Sequence, residues 1–366
     1  MARRNTEARP METEESQGNI QDNQNNNLEA EEMMQRKRKR EVNQEKQREN
    51  IVKSGNVFIV TFMNLLQKTQ GHKEVACHYM ERVLHSIFFF GHINRPPISP
   101  AEFIPEQQMK QFKTIFPKPF REYNTHLPCY TPFSVLLEYM VGSLNPKTPD
   151  VLLKDLETDN KSLLIDDEEG NKCVANSFAA TVVTYCYVKN PCAQKVLKEA
   201  YGSSMSCKGK YQRNVMINIS ALHVWDRAIS YAVCSAGMSP PITFPVEVHC
   251  KAYKLRPQRE IPPCTKCFSM YIVQFNPEYK ALNRKEDWPY GNCAENEALS
   301  RLLQSHKDVG REIYIMDEDG GKLMNKEDIE NRFKHVYEGE IRKHLRRRLT
   351  SRNFMLIQGE WNLFTP

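Results

Sequence analysis

The chain lacks any stretch of about 18 consecutive apolar residues, which a membrane-spanning helix would need. Its longest apolar run is about 177–188. The first residues, MARRNTEARPMETEESQ, lack the apolar core of a signal peptide. Cysteine is sparse, at 11 of 366 residues, far below a disulfide scaffold. These absences predict an intracellular protein, cytoplasmic or nuclear. In a reducing compartment, cysteines serve as metal ligands, reactive thiols or core residues rather than disulfides. Also missing are a Walker-type phosphate loop, a Gly-rich dinucleotide fingerprint, a G-x-S-x-G elbow and any internal repeat. A large excess of one charge sign is missing too: the net of +6 permits weak attraction to nucleic acid without demanding it.

Residues 1–50 contain no Phe, Trp, Tyr or Cys and carry ten basic against eleven acidic residues. Such a segment buries too little apolar surface to offset chain entropy, so disorder is expected. Its one feature is the run Arg36-Lys37-Arg38-Lys39-Arg40, a nuclear-import or nucleic-acid patch or simply the basic end of a solvated segment.

Ordered sequence begins near Ile51. Residues 51–240 read as a mostly helical region. Val57, Phe58, Phe62 and Leu65 suggest a buried helix, and residues 74–90, 132–141, 174–188, 194–201 and 219–234 carry further helical patterns. Prolines 96, 97, 100, 117 and 119 mark a loop-rich connection. After Pro241 the period changes to two. Ile242–Tyr253 reads as a strand, placed at an edge by Pro245; Phe268–Phe275 and Ile313–Met316 read as two more. Helices are expected over 293–304 and 326–348. The chain is therefore α+β overall, with a C-terminal α/β domain over 241–366.

Two motifs in that domain carry chemistry. In Pro263-Cys264-Thr265-Lys266-Cys267, a C-x-x-C pair can bring both sulfurs to one metal ion. In Gly291-Asn292-Cys293-Ala294-Glu295-Asn296-Glu297-Ala298-Leu299, Asn292 can cap a helix beginning at Cys293. A helix N-terminus pushes a cysteine toward the thiolate that zinc prefers. Glu295 reads two ways. Near the start of a helix its carboxylate supports the first turn. It also shares a face with Ala298, Leu299 and Leu302, three, four and seven residues on, where a carboxylate should be paired or functional.

Together these motifs resemble the Cys-Ala-Glu and P-C-x-x-C signatures of the cytidine-deaminase-like superfamily, including its bacterial toxin branches. The resemblance implies a zinc (Zn2+) held by Cys264, Cys267 and Cys293, with Glu295 as the catalytic proton shuttle. It implies hydrolytic deamination of a nucleobase or nucleotide, free or in nucleic acid. The motif order is reversed: here C-x-x-C ends 26 residues before Cys293, and no cysteine follows. Either the core is permuted or the metal site is of another kind. His249 or Cys250 could complete a closed, structural four-ligand zinc in a non-enzymatic binding protein. Cys250 also reads as a small buried hydrophobe and His249 as solvated. An inactive deaminase-like interaction domain is the third alternative.

Three further signals stand apart from these motifs. His72-Lys73-Glu74 matches H-x-E but stands far from the cysteines. Asp317–Lys322 suggests a calcium loop but has Lys322 where glycine is required, so it reads as a turn. From Asn331 to Arg352 eight Lys or Arg face two Glu, with Leu345 and Leu349 set to bury one side. Arg346, Arg347 and Arg348 would offer nucleic acid a basic strip.

Overall fold

The computed structural model describes residues 15–68, 73–143, 148–165, 176–190, 192, 195–207, 209–281, 286–316, 321–357 and 359–366. His72 and the turn residues 317–320 lie outside them. The chain divides into two compact units, residues 1–49 and 50–366. Helix α1 runs over Glu15–Lys68. Composition predicts disorder up to residue 50, yet the chain is helical from Glu15. Glu, Gln, Lys, Arg and Met favour a helix even where residues 33–39 are exposed.

In the second unit, the end of α1 buries Phe58, Ile59, Phe62 and Leu65. It joins α2 (Lys73–His92), α3 (Pro132–Ser143) and α4 (Pro149–Ser162) in one helical layer. Two glycines bring α1 and α2 onto the Phe103 ring. A Cβ on Gly55 or Gly91 would stand 2.4 or 2.6 Å from that ring.

The main sheet follows, built from β1 (Val182–Lys189), β2 (Val196–Ser203), β4 (Val248–Leu255) and β5 (Gln258–Ile261). Its order is β2-β1-β4-β5, antiparallel throughout, and β7 (Gln274–Phe275) adds a short parallel pairing to β4. The helices expected over 174–188 and 194–201 are thus a hairpin of strands. Tyr185, Tyr187, Tyr201 and Tyr253 pack with the helical layer, while Cys186, Ala200, Val248 and Cys250 pack into a second core on the opposite face. A strand buried on both faces shows no two-residue alternation, which is why its apolar run imitates a helix. β4 is central rather than at an edge, because Pro245 falls in the loop before it. The β1–β4 pairing also crosses residue 241, so the change of pattern there is no break in the sheet.

The second core holds α5 (Lys210–Ile219), α6 (Arg227–Cys234) and α8 (Ala294–Ser305), with α7 (Thr265–Met270) ahead of α8 in the chain. A smaller sheet covers its far side. Its strands are β3 (Ile242–Thr243), β6 (Tyr271–Ile272), β8 (Tyr314–Met316) and β9 (Lys322–Asn325), in the order β9-β8-β3-β6. The strand expected over Phe268–Phe275 is instead α7 followed by two two-residue strands. The C-terminal helices α9 (Lys326–Arg332) and α10 (Glu338–Thr350) flank a π-helical turn, and Leu345 and Leu349 are buried as their spacing predicts. No helix among the described residues is long and apolar enough to cross a membrane.

Candidate metal centre

Cys264 is the N-cap of α7, and its sulfur accepts a hydrogen bond from the Cys267 amide at 3.4 Å. The carboxylate of Glu286 accepts from the Thr265 amide at 2.8 Å, and Lys266 donates to the Glu286 and Trp288 carbonyls. These bonds fix the turn that carries the C-x-x-C pair. Cys293 is the N-cap of α8, one residue later than the Asn292 cap the sequence suggests. Its carbonyl accepts from the Asn296 side chain, whose oxygen in turn accepts from the buried Tyr271 hydroxyl at 2.7 Å. Asn292 anchors the approach through its carbonyl, which accepts from the Met205 amide.

Two helix starts thus deliver three thiols to one place. The sulfurs of Cys264, Cys267 and Cys293 all lie within 4.8 Å of one another, and Cys264 and Cys293 are 3.4 Å apart. Three negative thiolates cannot crowd together unaided. The thiols of Cys267 and Cys293 donate to Cys264 and hold it as a thiolate, down to about 3. The same sharing holds Cys267 and Cys293 well above the usual thiol value. One divalent cation would take the place of the two retained protons. The sulfur spacing and the soft donor set fit zinc.

Glu295 is only 4% exposed. Burial first, and then the Cys264 charge, push its carboxyl up to about 7. The buried carboxylate therefore shares the electrostatic surroundings of the sulfurs, on the apolar face where the sequence sets it.

His249 and Cys250 do not join the cluster. His249 stacks on Tyr187 with centroids 5.1 Å apart, and Cys250 forms a disulfide with Cys186 directly across the β1–β4 pairing. The expectation that no cysteine forms a disulfide is corrected at this one pair. Strand register sets it, and spacing in the chain gives no hint of a partner 64 residues away. Of the three consecutive arginines on α10, Arg346 and Arg347 are exposed, and Arg348 lies over the Tyr211 ring at 5.8 Å.

Sequence reasoning missed the next carboxylate on the same helix. Glu297 is buried, accepts from Ser134 at 2.7 Å and pairs with Arg301 at 2.9 Å. Arg301 reaches Glu138 on α3, which forms a two-pronged bond with Arg82 on α2. The i, i+4 spacing of Glu297 and Arg301 was the available signal. This network ties α8 to the helical layer.

Comparison with protein-family models, with curated proteins and with solved structures finds no match.

Proposed function

We propose that the chain is a zinc-dependent hydrolytic deaminase acting on a nucleobase, free or within a nucleotide or nucleic acid. The observation that carries this reading is a buried carboxylate, Glu295, set against three converging cysteines. Cys264, Cys267 and Cys293 would hold the metal, leaving the fourth position of a tetrahedral ion for a non-protein ligand. When bound, zinc supplies Lewis acidity that brings the ionisation of water into the neutral range.

Glu295 then has two duties. It accepts a proton from the attacking water and delivers it to a ring nitrogen, and it then passes the remaining proton of that water, now a hydroxyl on the carbon, to the departing amino group. A carbon–oxygen bond forms, the carbon–nitrogen bond breaks and ammonia leaves. The Asn296–Tyr271 contact and the Cys293 cap hold the first turn of α8, which fixes the backbone that carries the carboxylate. Burial excludes bulk water and strengthens each of these interactions.

The competing reading of a closed structural zinc has less support, since neither His249 nor Cys250 supplies a fourth ligand. A Glu295→Gln variant separates the remaining readings. It should keep about one zinc per chain and lose ammonia release from a panel of nucleosides and single-stranded oligonucleotides. Undiminished turnover in that variant would sink the mechanism. A zinc-free wild-type protein would remove enzyme and zinc scaffold together.

A further inference from the structure

A groove of about 720 Å³ runs beside α10. Arg342, Lys343 and Arg346 form one wall; His223, from the π-helical turn Ser220–Val224, and Trp361, near the chain end, form the other. Glu360 contributes a single carboxylate, so the walls carry three cations against one anion.

The cations are positioned rather than loose. Arg346 donates to the Gly359 carbonyl at 2.9 Å, and Arg342 donates twice to Glu338 at 2.7 and 3.1 Å. A guanidinium has five N–H donors, so each retains donors beyond these bonds. Lys343 is 76% exposed and only loosely paired with Glu340 at 3.9 Å. Arg342 and Arg346 stand one turn apart, about 6 Å of helix rise. Successive phosphates of an extended strand have a similar spacing.

The opposite wall is aromatic. The rings of His223 and Trp361 meet edge to face at 6.1 Å. Trp361 Nε1 and His223 Nε2 are both shielded from solvent and have no hydrogen-bond partner among the described residues. Burial and the neighbouring Arg342 and Arg227 keep His223 below its ordinary value, against the smaller opposing effect of Glu338. Cations along one side and an aromatic face along the other form the recognition chemistry of unstacked nucleotides. A duplex keeps its bases stacked and offers nothing to the indole.

We propose that this groove holds a single-stranded polynucleotide, with phosphates on Arg342, Lys343 and Arg346 and a base against Trp361. The groove is joined to the helix that carries Glu295. Gln304 donates to the Val224 carbonyl at 2.6 Å, and Ser300 accepts from the Asp226 amide at 2.7 Å. A strand held there would rest on the same framework as the cysteine cluster, although binding itself does not depend on the deaminase reading.

The test is fluorescence anisotropy of the full chain with labelled dT15 and rU15, in parallel with a 15-base-pair duplex, across a salt series. At about 0.15 M salt the double variant K343Q/R346Q should bind the single strands at least 10-fold more weakly. Its log–log salt slope should be shallower by about 1.4, two phosphate contacts' worth. Trp361→Leu should weaken binding about 5-fold or more with the slope unchanged. The basic run at 36–40 is intact in every protein and contributes equally to all. Comparing dT15 with rU15 shows whether the sugar matters; a preference for either supports the site. Unchanged affinity in K343Q/R346Q, or duplex binding as tight as single-strand binding, would overturn the proposal. Because the readout is binding, loss of the groove is distinguishable from loss of turnover. If Trp361→Leu fails to fold, the exposed double variant still decides.

Discussion

Gly202 is the position where one added methyl group should do most damage. It lies on β2 opposite Thr184, and its face is turned to α8. A Cβ there would stand 2.3 Å from the Ala298 amide nitrogen, 2.6 Å from the Ala294 carbonyl oxygen and 2.9 Å from the Ala298 Cα. All three are backbone atoms of a helix, so no side chain can swing aside. Ordinary contact begins about 1 Å further out. In Gly202→Ala, either α8 lifts by roughly that distance or the outer strand bows. Overpacking of this kind costs about 1–3 kcal/mol. Lifting α8 also loosens Leu299, Leu302 and Leu303, all fully buried. A combined loss of about 3 kcal/mol follows, visible as a lower urea midpoint and a Tm lower by roughly 6 °C. The same movement shifts Cys293 and Glu295 against the C-x-x-C turn. Metal–ligand distances tolerate only about 0.2 Å, so zinc affinity, read by competition with a chromogenic chelator, should fall at least about 10-fold. Gly339→Ala is the control: nothing lies within 4 Å of its Cβ, and a helical glycine-to-alanine change should be neutral or stabilising by about 0.5 kcal/mol. If Gly202→Ala stays within about 0.5 kcal/mol of wild type and binds zinc equally, α8 does not approach β2 as closely as described, and the reasoning fails.

Three other expectations follow from the same contacts. Arg301→Leu strands the buried Glu297 carboxylate and should cost about 3–5 kcal/mol by urea denaturation; adding Glu297→Gln should recover part of it, and no recovery would mean that lost packing dominates. His85 is fully buried, stacked on Phe364 at 3.9 Å and donating to the Glu122 carbonyl, and burial lowers it to about 3. Its folded value lies below its unfolded value of 6.5, so the unfolded state binds the extra proton between those limits; stability is full above pH 6.5 and falls with pH. From pH 6.5 to 5 that is about 2 kcal/mol, and His85→Leu should flatten this part of the profile. Cys293→Ser should weaken zinc binding at least about 100-fold with the fold retained by circular dichroism, because a ligand is worth no less than the groups that support it.

How much was legible in the sequence depended on the length of an element and the period of its apolar positions. Helices α2, α3 and α8 are long enough to show three- and four-residue apolar spacing, which marks them to within a few residues although they are buried on nearly every face. The same holds for α10, where Leu345 and Leu349 sit as spaced. Strands β1 and β2 face a core on each side, and no periodicity separates such a run from a buried helix. Val246 illustrates the converse error. It continues the two-residue alternation of Ile242 and Phe244 yet is 68% exposed, because Pro245 breaks the strand there. The three candidate ligands and Glu295 were legible because thiols and a carboxylate on an apolar helix face have few bland uses. The Glu138–Arg82 pair and the groove beside Trp361 were not, because their members lie on segments that only the tertiary fold brings together.

The reversed motif order bears on a metal centre only through the geometry it produces. What a metal centre requires is that two helix starts meet, and the order in which the chain visits them is immaterial to the ion. Here α7 leaves β5 through its Cys264 cap, and α8 begins at its Cys293 cap while packed against β1 and β2 through Gly202, Ala294 and Ala298. The residues after Cys267 look strand-like by composition, but the capped Cys264 turn, braced by Glu286 and Lys266, makes them helical up to Met270. Each cysteine-bearing turn is therefore stabilised by its own local bonds, and the sheet sets only the distance between them. A chain that exchanges the order of two such units keeps the sulfur geometry so long as α8 stays seated on the hairpin. The contact at Gly202 is the part of the structure on which the rest of the site depends.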